Sequence, residues 1–169
     1  MPKQQFIVMR SPAENTHGLM GFNDKVKKLP NVTVLERLAP HEMPALYQQV
    51  RMVLVPSRYE TYGMAGLEGL AHGRPTIHVN TPHALEGVGA DFCIGSVPTV
   101  AQVMERIHLI ENDYDTWRIR ALTQATVTSL RQADELSHLT EWVLQLRHQN
   151  PDQRQMRRRH IRQHVGSQR

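Results

Sequence analysis

The sequence predicts an α/β protein built on an open, mostly parallel, Rossmann-like sheet with helices on both faces. Two observations lead there. Short apolar strings alternate with segments of helical periodicity, which is how a sheet crossed over by helices reads in one dimension. The 169 residues, 40% of them hydrophobic, suffice for one sizeable core, while no run approaches the ~18 apolar residues of a membrane span.

Residues 5–9 (QFIVM) form the first expected strand. The turn-rich SPAENTHGLMGFND that follows leads to a short helix near Lys25. VTVL at 32–35 is the second strand, Met43 to Gln49 a short helix with Pro44 in its first turn, and MVLV at 52–55 a buried strand. From Gly63 to His72 the apolar residues Met64, Leu67, Leu70 and Ala71 recur at helical spacing, and Gly73 stands where a C-cap glycine belongs. TIHV at 76–79 and FCI at 92–94 complete the strands. Three closing helices are expected. Thr99 and Gln102 make a capping-box pattern, Asp113 caps a helix running to about Leu130, and Asp134 caps a third. In the third, Leu136, Leu139, Val143 and Leu146 line one stripe ending near Gln149.

Charge divides the chain into two parts. Of the formal net charge of +4, residues 151–169 contribute +5 from six arginines and Asp152, leaving −1 for residues 1–150. The expected organisation is therefore a folded domain over 1–150 and a basic, disordered tail over 151–169, suited to solvent or to an anionic surface or nucleic acid. The start MPKQQFIVMR lacks a signal-peptide core, and the single cysteine, Cys93, fits a buried thiol in a reducing compartment. A cytoplasmic location is expected. His72, His78 and His83 cluster around one strand without the spacing of a zinc site, so no metal is expected. Trp117 and Trp142 lie on helical faces as core or interface anchors.

The junction from MVLV through PSRYETYGM into AGLEGLAHG carries the chemistry. In open α/β sheets ligands gather at the carboxyl ends of strands. A helix entered through Gly63 presents the backbone N–H groups of Tyr62, Gly63 and Met64 with a positive dipole end, an arrangement suited to phosphate. Glu60 and Glu68 flank it, and a carboxylate can accept two hydroxyls of a ribose or sugar.

The run PSRYETYGMAGLEGLAHGRPTI resembles the signature of the family 4 retaining glycosyltransferases: Pro-Ser, two residues, Glu, a nearby Gly, a second Glu with seven residues between, then a small-Gly-x-Pro turn. Glu60, Glu68 and Gly73-Arg74-Pro75 fit it. HALEGVGAD resembles the family's Glu-x-Val-Gly segment at Glu86, Val88 and Gly89, and VTVLERLAPHEMPALYQQVRMVLVPS resembles the strand, helix and strand leading to the motif. The resemblance spans about Gln5 to Gln149.

It implies the nucleotide-sugar-binding, C-terminal domain of a two-domain GT-B glycosyltransferase. Glu68 would hold the donor's ribose hydroxyls, and Glu60 would contact the transferred sugar as the catalytic carboxylate. The amides of Thr61, Tyr62, Gly63 and Met64 would meet the diphosphate and sugar, with Arg37 and Leu38 beside the base. The nucleoside diphosphate sugar is then a substrate, and no cofactor is implied. The family's phosphate-neutralising Arg and Lys have no match here, and the acceptor-binding domain is expected in trans or in a longer parent chain. Two further readings stand beside this one: a degenerate nucleotide-binding or regulatory subunit, and a nucleic-acid-associated module acting through the tail.

Overall fold

The computed structural model describes residues 4–9, 25, 26, 28–57, 62–79 and 81–149. These fall into two compact units, divided between Arg51 and Met52. Every strand pairing among the described residues is parallel, as the alternation of strings and helices predicts. The strands belong to two small open sheets, one in each unit, of a Rossmann-like α/β kind.

In the first unit, β1 (Phe6–Met9) pairs with β2 (Val32–Leu35) in the register Phe6 to Val32 and Met9 to Leu35. Asn31 Nδ2 donates to the Gln4 carbonyl at 2.8 Å, tying the starts of the two strands together. Lys25 and Val26 are helical, where a short helix is expected. The unit closes with α1 (Met43–Gln49), which carries Pro44 in its first turn and buries Tyr47.

The second unit contains β3 (Val53–Val55), β4 (Thr76–Val79) and β5 (Cys93–Ile94) in the order β3-β4-β5. All four residues of β4 are buried, as befits a central strand covered on both faces. Between β3 and β4 runs α2 (Met64–Ala71). Its end is a Schellman motif: Gly73 has φ 65°, its N–H bonds to the Leu70 carbonyl at 2.9 Å, and the Arg74 N–H bonds to the Gly69 carbonyl at 2.8 Å. Pro75 then prevents any continuation.

A short helix that periodicity passes over, α3 (Pro82–Gly87), starts at Thr81, whose hydroxyl accepts from the Ala84 N–H at 3.1 Å. Phe92 closes a 3-10 turn (Ala90–Phe92) instead of opening the last strand. In α4 (Val100–Asn112) both capping-box bonds form: Thr99 N–H to Gln102 Oε1 at 2.8 Å, and Gln102 N–H to Thr99 Oγ1 at 3.3 Å.

The three expected closing helices are two. After α4, a single helix α5 (Tyr114–Gln149) runs for 36 residues. It begins after Asp113, whose carbonyl accepts from the Trp117 N–H at 3.2 Å. Asp134 lies inside it and caps nothing; its carboxylate faces His138, one turn on, at 3.5 Å. The reason is the neighbouring sequence. Between Leu130 and Asp134 stand Arg131, Gln132 and Ala133, all strong helix formers, with no glycine or proline to stop the preceding turn. A capping side chain starts a helix only where the chain has already left one.

The core gathers Leu70, Ile77, Val88, Phe92, Ile107, Ile110 and Trp117. Phe92 meets Trp117 edge to face, centroids 5.7 Å apart, while the guanidinium groups of Arg106 and Arg120 lie over the indole at 5.7 and 5.2 Å. Trp117 is thus a core anchor, whereas Trp142 and the stripe Leu136, Leu139, Val143 and Leu146 are exposed. No helix among the described residues is long and apolar enough to cross a membrane.

Candidate functional site

A column of small residues on α2 determines how closely it lies on the sheet. Gly63, Gly66 and Gly69 recur every third position on one face. A Cβ on Gly66 would sit 3.3 Å from Thr76 Cγ2 and 3.2 Å from His78 Cδ2; one on Gly69 would sit 2.8 Å from Val53 Cγ2 and 3.0 Å from Thr76 Oγ1. Glycine inside a helix costs ~1 kcal/mol relative to alanine, and here that cost permits backbone-to-sheet contact. Thr76 Oγ1 uses the closeness by donating to the Gly66 carbonyl at 3.1 Å.

The N-terminus of α2 opens at Gly63, which has φ 72° and ψ 39°, a left-handed conformation that favours glycine. As the N-cap residue, Gly63 supplies no side-chain cap of its own. The carbonyl of Gly63 accepts from the N–H groups of Gly66 and Leu67, so the helical ladder starts at once. The first N–H groups of the helix, at Met64 and just before it, point away from that ladder. This end therefore combines backbone donors that lie outside the helical ladder with the positive end of the helix dipole.

The segment Glu86 to Gly89 is brought against this end. A Cβ on Gly63 would lie 3.7 Å from Val88 Cγ2, one on Gly66 3.5 Å from Val88 Cγ1, and one on Gly87 3.2 Å from the Tyr62 carbonyl oxygen. Two stretches that the sequence singles out separately, one around Gly63 and one around Val88, thus form a single wall. Helix α5 fixes it from outside. Thr128 Oγ1 donates to the Gly87 carbonyl at 2.8 Å, Arg131 donates to the Glu86 carbonyl, and Gln132 Nε2 donates to the Tyr62 hydroxyl at 2.7 Å. Nothing in the sequence pointed to these three residues, because polar positions on a long helix look alike until the chain folds back.

Of the expected site residues, Tyr62, Gly63 and Met64 meet at the start of α2, and Glu68 lies in its second turn, half-buried. Glu60 and Thr61 lie outside the described residues, as does Arg58. Arg37 and Leu38 follow β2 in the first unit, with Arg37 exposed and Leu38 half-buried.

The histidines around β4 go separate ways. His72 Nδ1 bonds the Glu68 carbonyl at 2.8 Å, His83 approaches the Glu86 carboxylate at 3.9 Å on the surface, and His78 is wholly buried. No group of three His, Cys, Asp or Glu side chains among the described residues is placed to hold a metal ion. Cys93 is buried, and that burial pushes its thiol above the ordinary range, with the Arg106 guanidinium acting in the opposite direction. It is a structural thiol with little nucleophilic character.

The comparison with known families agrees with the local architecture. A family model described as "Glycosyl transferases group 1" matches residues 11–112, which is well over half of the chain and includes β2, α2, the β4 strand, the Glu86–Gly89 segment and α4. No curated protein matches the chain. A parallel α/β scaffold, a helix start at a left-handed glycine and this match lead to one assignment: the chain belongs to the group 1 glycosyl transferases.

Proposed function

We propose that the chain binds a nucleoside diphosphate sugar as the donor-holding, C-terminal domain of a retaining, family 4-like GT-B glycosyltransferase. The observation that carries this reading is the start of α2 at the left-handed Gly63, walled by Gly87 and Val88. Glycosyl transfer from such a donor develops negative charge on the leaving diphosphate. Backbone N–H groups fixed at a helix N-terminus oppose that charge without having to reorganise. The amides from Thr61 to Met64 are assigned to the diphosphate and sugar, and Glu68 to the ribose hydroxyls. Glu60 is assigned to the transferred sugar as the catalytic carboxylate, with Arg37 and Leu38 beside the base. Acceptor binding is assigned to a second domain, because transfer requires donor and acceptor held in one geometry, an effect worth up to ~7 to 11 kcal/mol.

Calorimetric titration with plain nucleoside diphosphates tests the assignment. Glu68→Ala weakens binding, whereas Glu60→Ala, which removes a contact to the sugar, changes it little. Equal losses from the two substitutions refute the separate roles. Absence of binding by the unsubstituted chain refutes the donor site.

A further inference from the structure

His78 is the side chain at this site that the donor reading leaves without a role. It stands in the central strand β4, fully buried, and its Nδ1 donates to the Val79 carbonyl at 2.7 Å. Its Nε2 is buried and has no hydrogen-bond partner. That nitrogen faces the start of α2, since a Cβ on Gly63 would come within 2.9 Å of it. Because Nδ1 must hold a proton to serve the Val79 carbonyl, the neutral ring presents a lone pair at Nε2.

A buried acceptor with no donor costs the folded chain, and native proteins satisfy nearly all such groups. At this position the missing donor has to come from the side of the start of α2. A phosphate oxygen has no proton to give to a lone pair. A sugar hydroxyl does. We propose that His78 Nε2 accepts a hydrogen bond from a hydroxyl of the transferred sugar, so that His78 determines specificity for the sugar and not for the nucleotide. This rests on the donor-site reading above and assigns a second task to Gly63. Its left-handed conformation already favours glycine, and any side chain there would occupy the space directly before Nε2.

The test compares two ligand pairs on the full chain by calorimetry, UDP with UDP-glucose and GDP with GDP-mannose. Wild type, His78→Leu and His78→Gln are titrated. In the pair that wild type binds, His78→Leu leaves the plain diphosphate affinity unchanged and weakens the nucleotide sugar by roughly fivefold, the scale of one hydrogen bond. His78→Gln, whose amide oxygen is an acceptor, recovers part of the loss. Equal weakening of both ligands by His78→Leu, or weakening of neither, overturns the role of His78. A wild-type chain that binds neither UDP nor GDP overturns the donor site itself. Imidazole nitrogen NMR of the wild-type chain gives the same answer without a substitution. The Nε2 signal moves when the nucleotide sugar is added and stays when the plain diphosphate is added; movement with the diphosphate alone overturns the proposal.

Discussion

Gly69→Ala sets two opposing effects against each other inside α2. Alanine is the better helix former by ~1 kcal/mol, so propensity alone predicts stabilisation. The added methyl, however, would lie 2.8 Å from Val53 Cγ2, 3.2 Å from Val53 Cβ and 3.0 Å from Thr76 Oγ1. Val53 is β-branched and stiff at χ1, and the short contact to its Cβ means that side-chain rotation alone cannot relieve the clash. Thr76 can retreat only by lengthening its 3.1 Å bond to the Gly66 carbonyl. Overpacking of this kind costs ~1 to 3 kcal/mol, and with both neighbours constrained the upper half of that range applies. The expected net effect is a loss of about 1 to 2 kcal/mol. Urea unfolding followed by circular dichroism measures it as a lower midpoint with an unchanged slope. Val53→Ala combined with Gly69→Ala should cost less than the sum of the two, because the new methyl fills part of the vacated space. A Gly69→Ala chain as stable as wild type, or more stable, refutes the close approach of α2 to β3 and β4.

Three further outcomes are expected. Asp134→Ala should raise stability by a few tenths of a kcal/mol, because alanine suits a helix interior and the exposed pair with His138 contributes ~0.5 kcal/mol at most; a loss near ~1 kcal/mol in thermal unfolding would restore the capping role. Thr128→Val keeps the shape but removes the donor to the Gly87 carbonyl, and denaturant unfolding should show a loss of ~1 to 2 kcal/mol. Cys93 should alkylate slowly with iodoacetamide in the native chain. Its thiol pKa lies above the ordinary value of 9.0, so its stabilising contribution is complete below that pH and falls away as pH rises through the folded value. Alkylation at the rate of an unfolded control at pH 8 would contradict its burial.

The sequence by itself determined the local elements and the family. Strand strings, the capping box at Thr99 and Gln102, and the Gly73-Arg74-Pro75 stop are set by neighbouring residues, so periodicity and turn chemistry suffice to find them. The Pro-Ser, Glu and Gly spacing sufficed for the resemblance to glycosyltransferases, and the family match agrees with it. Which atoms Gly69 packs against belongs to the fold. Tertiary structure decided the rest. Whether Asp134 begins a helix depends on whether the preceding turn ends, and the capping residue cannot fix that alone. That Trp117 is buried and Trp142 exposed follows from where the sheet lies along α5, since both have the same helical periodicity. His78 looked like one of three histidines around a strand; only the fold sends its ring toward Gly63 while His83 goes to the surface. The wall made by Val88 and Gly87, with Thr128 bonded across forty-one positions, has no local signal at all. Contacts between residues distant in sequence exist only once the core has been buried, and the core is a property of the whole fold.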